Sequence, residues 1–170
     1  MVLLDRQAAE ARLGELADVL VDAVQGGASV SFMLPFGRDD ATGYWRRIAG
    51  DVETGAALLF GALAGERLDG TVQIRLDLPP NQPHRAEIAK LLVHRRARGR
   101  GVGEALLSAA EAEARRRGRT LLVLDTIAGS DAERLYRRTG WSFTGTIPDY
   151  ALMPEGGDPR PTAIFWKRLA

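Results

Sequence analysis

The pattern of apolar residues predicts a mixed α/β fold, one sheet with helices on both faces. Three observations predict it: two helical periodicities open the chain, a glycine-joined pair of strand patterns follows, and a strand–helix–strand unit then leads into a short helix and two last strands. At 170 residues and 45% hydrophobic content, the chain suffices for one compact domain, residues 1–170, with no room for a second.

Leu13, Leu16, Ala17, Leu20 and Val24 recur at helical spacing, predicting a helix from about Asp5 to Val24 that Gly26-Gly27 ends. Gly37 to Asp40 reads as a turn in which Asp39 or Asp40 caps a second helix, carrying Tyr44, Trp45, Ile48 and Val52 up to Gly55. Ala56 to Ala64 and Thr71 to Leu78 are predicted strands of an antiparallel hairpin, and Pro79 to Pro83 a loop. The next strand runs from Ala86 to His94. Strict alternation puts Glu87, Ala89, Leu91 and Val93 on one face of it, and Ile88, Lys90, Leu92 and His94 on the other. Gly101 to Arg117 is a helix buried through Leu106, Leu107, Ala110 and Ala114, and Thr120 to Asp125 is a short apolar strand. Ser130 or Asp131 caps a helix reaching about Thr139. The strands Trp141 to Ile147 and Thr162 to Leu169 close the chain around a Pro/Gly-rich loop containing Tyr150.

A net charge of +1 argues against nucleic acid or an anionic membrane as partner. The absence of cysteine removes disulfides, thiolate metal sites and an acyl-cysteine intermediate. No basic-then-apolar leader and no apolar run near the ~20 residues of a membrane span occurs, so a cytoplasmic location is expected. His84 and His94 read as surface groups, and Trp45, Trp141 and Trp166 as core, while Phe32, Met33, Trp45 and Tyr150 are candidates to wall an acceptor pocket.

The chemistry concentrates between His94 and Glu104. There an apolar strand enters a loop with arginines at 95, 96, 98 and 100 and glycines at 99, 101 and 103, which opens onto a helix. Glycines let backbone N–H groups converge on an anion, the helix N-terminus adds its dipole, and arginines add full charge, so a pyrophosphate is the expected guest. A dinucleotide-binding unit is the serious mimic, with Asp125 in the place of its ribose-binding acid. It requires glycine where Glu104 stands and an earlier first glycine, and no Walker phosphate loop occurs.

Three side chains suit proton transfer. Tyr136 lies on the inward side of its short helix, either as a core aromatic or as an acid for a departing thiolate. Glu87 near a strand start and Asp125 at a strand end both suit removal of a proton from an amine, whose pKa is about 10.4 for a lysine-like group. Their structural roles, a solvated strand start and a turn or helix cap, remain open beside that one.

On these residues the chain resembles the GNAT superfamily of acetyl-CoA-dependent N-acetyltransferases. Arg98-Gly99-Arg100-Gly101-Val102-Gly103 is similar to the family's pyrophosphate loop, continuing into Glu104, and Leu91-Leu92-Val93 to the strand that pairs with the pantetheine arm and polarises the thioester. Ala132 to Trp141 is similar to the late helix with its tyrosine acid, and Glu87 falls where histone-type members place a base. The resemblance implies a mostly antiparallel central sheet of about seven strands, acetyl-CoA as co-substrate and, as in many relatives, a homodimer. Gly26 to Met33, Arg85-Ala86-Glu87, Leu124-Asp125-Thr126 with Ala128-Gly129-Ser130, and Pro148 to Pro154 followed by Pro161-Thr162-Ala163-Ile164 further resemble the tabtoxin-resistance group, in which the positions of Asp125 and Tyr136 are the proposed acid–base couple. The expected activity is acetyl transfer to a small primary amine by direct attack, with the developing oxyanion held by backbone N–H groups of the Leu91 to Val93 strand. The alternatives are a non-catalytic acyl-CoA-binding or regulatory module and an RNA-binding protein, the latter disfavoured by the charge.

Overall fold

The computed structural model describes residues 1–169. In chain order it forms β1 (Val2–Leu4), α1 (Arg6–Ala11), α2 (Leu13–Gln25), α3 (Arg38–Thr54), β2 (Ala57–Ala64), β3 (Arg67–Arg75) and β4 (Arg85–Val93). A 3-10 turn (Arg95–Ala97) follows, then α4 (Val102–Arg116), β5 (Leu121–Ile127), α5 (Asp131–Arg138), β6 (Ser142–Met153) and β7 (Gly156–Arg168). The strands make one sheet in the order β1-β2-β3-β4-β5-β7-β6. Every neighbouring pair is antiparallel except β4 with β5.

The helices form where local chemistry satisfies their first N–H groups. Asp5 accepts from Ala8 N at 2.8 Å to start α1, Asp40 reaches back to Gly37 N at 2.9 Å to start α3, and Ser130 accepts from Glu133 N at 3.1 Å to start α5. The predicted first helix is two, broken at Arg12, whose guanidinium donates to Glu15 and to the Glu66 carbonyl.

Two apolar layers hold the sheet. On one face Leu106, Leu107, Ala110 and Ala114 of α4 pack on Leu58, Phe60, Val72, Ile74, Ala86 and Ile88. On the other, Leu16 and Leu20 of α2 and Trp45 and Ala49 of α3 pack on Leu59, Leu68 and Leu92. Each fully buried leucine contributes about 1.5–3 kcal/mol.

Five further details differ from the sequence reading. Strand β1 is too short for periodicity to reveal. β3 begins at Arg67 because the turn is confined to Gly65-Glu66, Gly65 having φ +64. Gly70 therefore lies inside a strand, where a Cβ would stand 2.8 Å from the Leu92 carbonyl oxygen and 3.1 Å from Leu106 Cδ1. Gly70→Ala is accordingly expected to destabilise the fold by about 1–3 kcal/mol, read as a lower denaturant midpoint. The predicted loop around Tyr150 is instead the long β6–β7 hairpin, whose Pro148 lies on an edge strand that needs no donor there. Trp166 stays 36% exposed rather than joining the core.

The fifth difference shapes the site. Between the pairs Gln73↔Ala89 and Thr71↔Leu92, β4 carries an extra residue, a bulge centred on Lys90 with φ +48. Alternation therefore slips by one. Ala86 and Ile88 face α4, and so do Leu91 and Val93, whereas Leu92 faces α2 and α3. Glu87 lies on the face opposite Leu91 and Val93, not on theirs.

Candidate active site

The sheet opens where its one parallel pair ends. β4 and β5 are joined only through Arg85↔Leu121, Ala86↔Leu122 and Glu87↔Val123. Beyond these rungs β4 continues along β3 and β5 along β7, so Leu91 to Val93 face a notch with no β5 partner. An extended ligand laid in such a notch meets strand backbone groups with hydrogen-bonding capacity to spare.

At the wide end of the notch stands the glycine loop. Gly99 and Gly101 adopt left-handed φ of +73 and +75, and nothing within 4 Å crowds the position of an added Cβ at either. Gly101 is the N-cap of α4, and no side chain caps that helix, unlike α1 and α5. Its first N–H groups are thus available to an anion, and Gly103 keeps α4 close to β4, its Cβ position lying 3.7 Å from Val93. These residues fit a pyrophosphate.

The arginines divide their labour rather than converging. Arg95 donates through its backbone N (2.9 Å) and its guanidinium to Asp22 of α2, and Arg96 donates to Asp69 Oδ1 at 2.6 Å and to the Leu68 carbonyl at 2.8 Å. Both anchor the loop to the fold. Arg98 donates to the Val93 carbonyl at 3.1 Å and extends toward Asp22 at 3.6 Å while remaining half exposed. Arg100 is exposed and has no ion pair among the described residues, and Glu104, also exposed, stands 3.8 Å from Arg138.

Asp22 is nearly buried; burial raises its pKa, but the hydrogen bonds from Arg95 outweigh this and hold it below the ordinary carboxylate value. His94, read from sequence as a surface group, is half buried 3.7 Å from Asp22, and desolvation lowers its pKa against the pull of that carboxylate. Hydrogen bonds from Arg67, the largest influence, and Arg96 lower the Asp69 pKa to about 2 from an ordinary 3.8. Because the folded value lies below the unfolded one, this stabilisation of about 2 kcal/mol is complete above pH ~4 and vanishes as pH falls through ~2. Asp69→Asn is expected to flatten the acid limb of an unfolding-versus-pH curve over that interval.

Across the notch, β5 and α5 carry the proposed proton-transfer groups. Tyr136 is buried against Trp141 and Phe165, with ring centroids 5.8 and 5.9 Å away. Its phenol pKa is raised further above the ordinary value, by burial first and by the negative charge of Asp125 second, so the hydroxyl keeps its proton at neutral pH. Asp125 is exposed and accepts from Thr162 Oγ1 at 3.2 Å. Glu87 is placed differently, its carboxylate bracketed by Arg85 at 3.1 Å and Arg75 at 3.9 Å. The charge of Asp125 is thus felt at the Tyr136 phenol, whereas Glu87 sits among guanidinium groups.

Sequence reasoning passed over Lys90. The bulge directs its ammonium under the 26–37 segment, 3.3 Å from Ser31 Oγ and 5.5 and 5.8 Å from the ring centroids of Phe32 and Tyr44. Burial lowers its pKa, opposed by the charge of Asp125 and assisted by that of Arg75. Lys90 also borders a cavity of about 310 Å³, lined by Tyr44, Gln73, Arg75, Asp51 and Asp77 among others. Tyr44 exchanges hydrogen bonds with buried Gln73, and burial raises its phenol pKa to about 12. Of the predicted pocket walls none lines this cavity: Phe32 packs edge-on against its Tyr44 at 5.3 Å between ring centroids, Met33 and Tyr150 are exposed, and Trp45 is fully buried in the core. The 26–37 segment is tied to the β6–β7 hairpin by Leu34 N donating to the Pro154 carbonyl at 2.8 Å. The signal available in the sequence was a lysine, one of only two among 23 basic residues, directly before the apolar run Leu91-Leu92-Val93.

Comparison with protein families matches residues 30–141 to the acetyltransferase (GNAT) family. The chain belongs to that family. As a GNAT acetyltransferase it acts with acetyl-CoA, and the glycine loop described above falls inside the matched region. Solved structures agree on the fold. A ribosomal-protein-alanine N-acetyltransferase from Brucella melitensis is 23% identical, with 99% of this chain and 100% of that one covered and a TM-score of 0.80. The yncA protein of Salmonella typhimurium, solved with its cofactor acetyl-CoA, is 18% identical over 99% and 92% of the two chains, with a TM-score of 0.80. An acetyl transferase from the same organism that modifies the N-terminal serine of ribosomal protein L7/L12 is 14% identical over 95% and 91%, with a TM-score of 0.78. Among the described residues no helix is long and apolar enough to cross a membrane.

Proposed function

We propose that this acetyltransferase transfers the acetyl group of acetyl-CoA to the primary amine of a small molecule by direct attack while both are bound. The observation that carries the reading is the continuity of three parts: the uncapped start of α4, the unpaired edge of Leu91 to Val93, and Tyr136 and Asp125 on the opposite bank of the notch. In this reading the pyrophosphate rests on the N–H groups of residues 101–104, with Arg98 and Arg100 beside it. The pantetheine arm lies along Leu91 to Val93, whose N–H groups meet charge developing on the thioester oxygen. The amine nitrogen forms its bond to the acetyl carbon as the carbon–sulfur bond breaks. Tyr136 protonates the departing thiolate, and Asp125 takes the proton released by the amine, directly or through water. Such groups contribute about 10²–10⁴-fold, with positioning supplying much of the rest. Glu87 is the competing base, but a proton delivered to it would disturb its contacts with Arg85 and Arg75.

The reading extends to a single domain working in the cytoplasm as a monomer or homodimer, and to an amino-acid-like toxin or antibiotic as one class of acceptor, in keeping with the sequence resemblance noted above. An acetyl-CoA-dependent screen of amino acids, polyamines, amine antibiotics and peptide N-termini, read by a 42 Da mass gain, tests it. Acetylation of small amines is expected. Acetylation of peptides alone would move the acceptor to protein termini, and coenzyme A binding without any product would leave a non-catalytic acyl-CoA module.

A further inference from the structure

We propose that Lys90 is a specificity-determining residue of the acceptor pocket, holding the carboxylate of an amine substrate that is itself an acid; this rests on the transfer reading above. Three features of its surroundings carry the assignment. The first is conformational: Lys90 occupies the left-handed region at the β4 bulge, a backbone state uncommon outside glycine and concentrated at ligand sites, and the bulge turns its side chain toward the 26–37 segment and away from the α4 layer.

The second is an unsatisfied charge. Lys167, the other lysine, is bound to Glu111 at 2.7 Å, but no carboxylate lies within 4.0 Å of the Lys90 ammonium among the described residues. Its neighbours are the neutral Ser31 hydroxyl and two ring faces. A half-buried ammonium with three donors and one neutral acceptor retains hydrogen-bonding capacity for an anion.

The third is position. Lys90 borders the cavity together with Arg75 of the adjacent strand, so the strand floor of the cavity is cationic, while its carboxylates, Asp51 and Asp77, come from α3 and the segment after β3. Leu91 follows directly in sequence. An acceptor anchored at Lys90 by its carboxylate therefore starts one residue from the strand edge assigned to the thioester, with Asp125 electrostatically coupled to the same ammonium.

The test uses matched compounds: the common amino acids beside their methyl esters and their decarboxylated amines, offered with acetyl-CoA to the wild type, Lys90→Met and Lys90→Arg. The wild type is expected to show a KM about tenfold lower for acids than for their esters, the effect of a charge-assisted hydrogen bond at a half-buried site. Lys90→Met is expected to erase that ratio and Lys90→Arg to keep it. Calorimetric titration of the same acids and esters in the absence of acetyl-CoA reads the preference independently of turnover. Product formed equally from acids and esters, or a ratio that survives in Lys90→Met, overturns the assignment and leaves the transfer reading standing. Preferential binding of acids without product supports the assignment and counts against transfer.

Discussion

Tyr136→Phe is expected to lower kcat by about a hundredfold or more while the affinity for acetyl-CoA changes by less than about twofold. The substitution keeps the ring that packs on Trp141 and Phe165 and removes only the hydroxyl, so stability and the notch are preserved. A thiolate leaving without a proton donor is the poorer leaving group, and the whole loss falls on the chemical step. Because burial and Asp125 both raise the phenol pKa, the wild type should show no alkaline limb from this group up to about pH 10. Stopped-flow transfer rates set beside calorimetric acetyl-CoA titration check the split. Unchanged turnover in Tyr136→Phe would make the phenol purely structural.

Gly101→Val is expected to weaken acetyl-CoA binding by about tenfold or more. The residue sits at φ +75, where the left-handed region costs an L-residue about 1–2 kcal/mol, and a β-branched side chain is among the least tolerant. Beyond its own chain neighbours, no protein atom among the described residues lies within 4 Å of the added Cβ. The penalty therefore comes from twisting the N-cap of α4 away from its anion-facing pose and from filling space assigned to the pyrophosphate. Isothermal titration of acetyl-CoA against a variant shown to be folded by circular dichroism reads the effect, and unaltered affinity would remove the anion from this loop.

The fold and the glycine-rich turn into α4 were legible because both are written in local signals. Gly99, Gly101 and Gly103 announce backbone conformations that other residues resist, and the Leu106, Leu107, Ala110 and Ala114 stripe announces a buried helix face. What escaped depends on contacts between distant segments. The β4 bulge follows from how Thr71 and Gln73 of β3 register against β4, and no pattern within 86–94 encodes it. That slip moved Glu87 away from Leu91 and Val93 and brought Lys90 under Ser31, from 59 residues upstream. In the same way, arginines adjacent in sequence looked like one anion site, but Asp22 and Asp69 had already engaged two of them. The long β6–β7 hairpin was hidden by its prolines, whose breaking power holds for central strands and lapses at an edge.

The rungs Arg85↔Leu121, Ala86↔Leu122 and Glu87↔Val123, with Thr120 N and Leu121 N donating to the His84 carbonyl, tie the two halves of the sheet to each other in backbone terms. The anion cradle belongs to one half, and Tyr136 and Asp125 belong to the other. In the proposed reading the seam is the ruler that spaces leaving group from acid, and α4 is tied across it by Trp141 and Lys167 donating to Glu111. Under that reading the spacing is open to adjustment through Ala86 and Leu122, whose side chains are fully buried in the core beneath the seam.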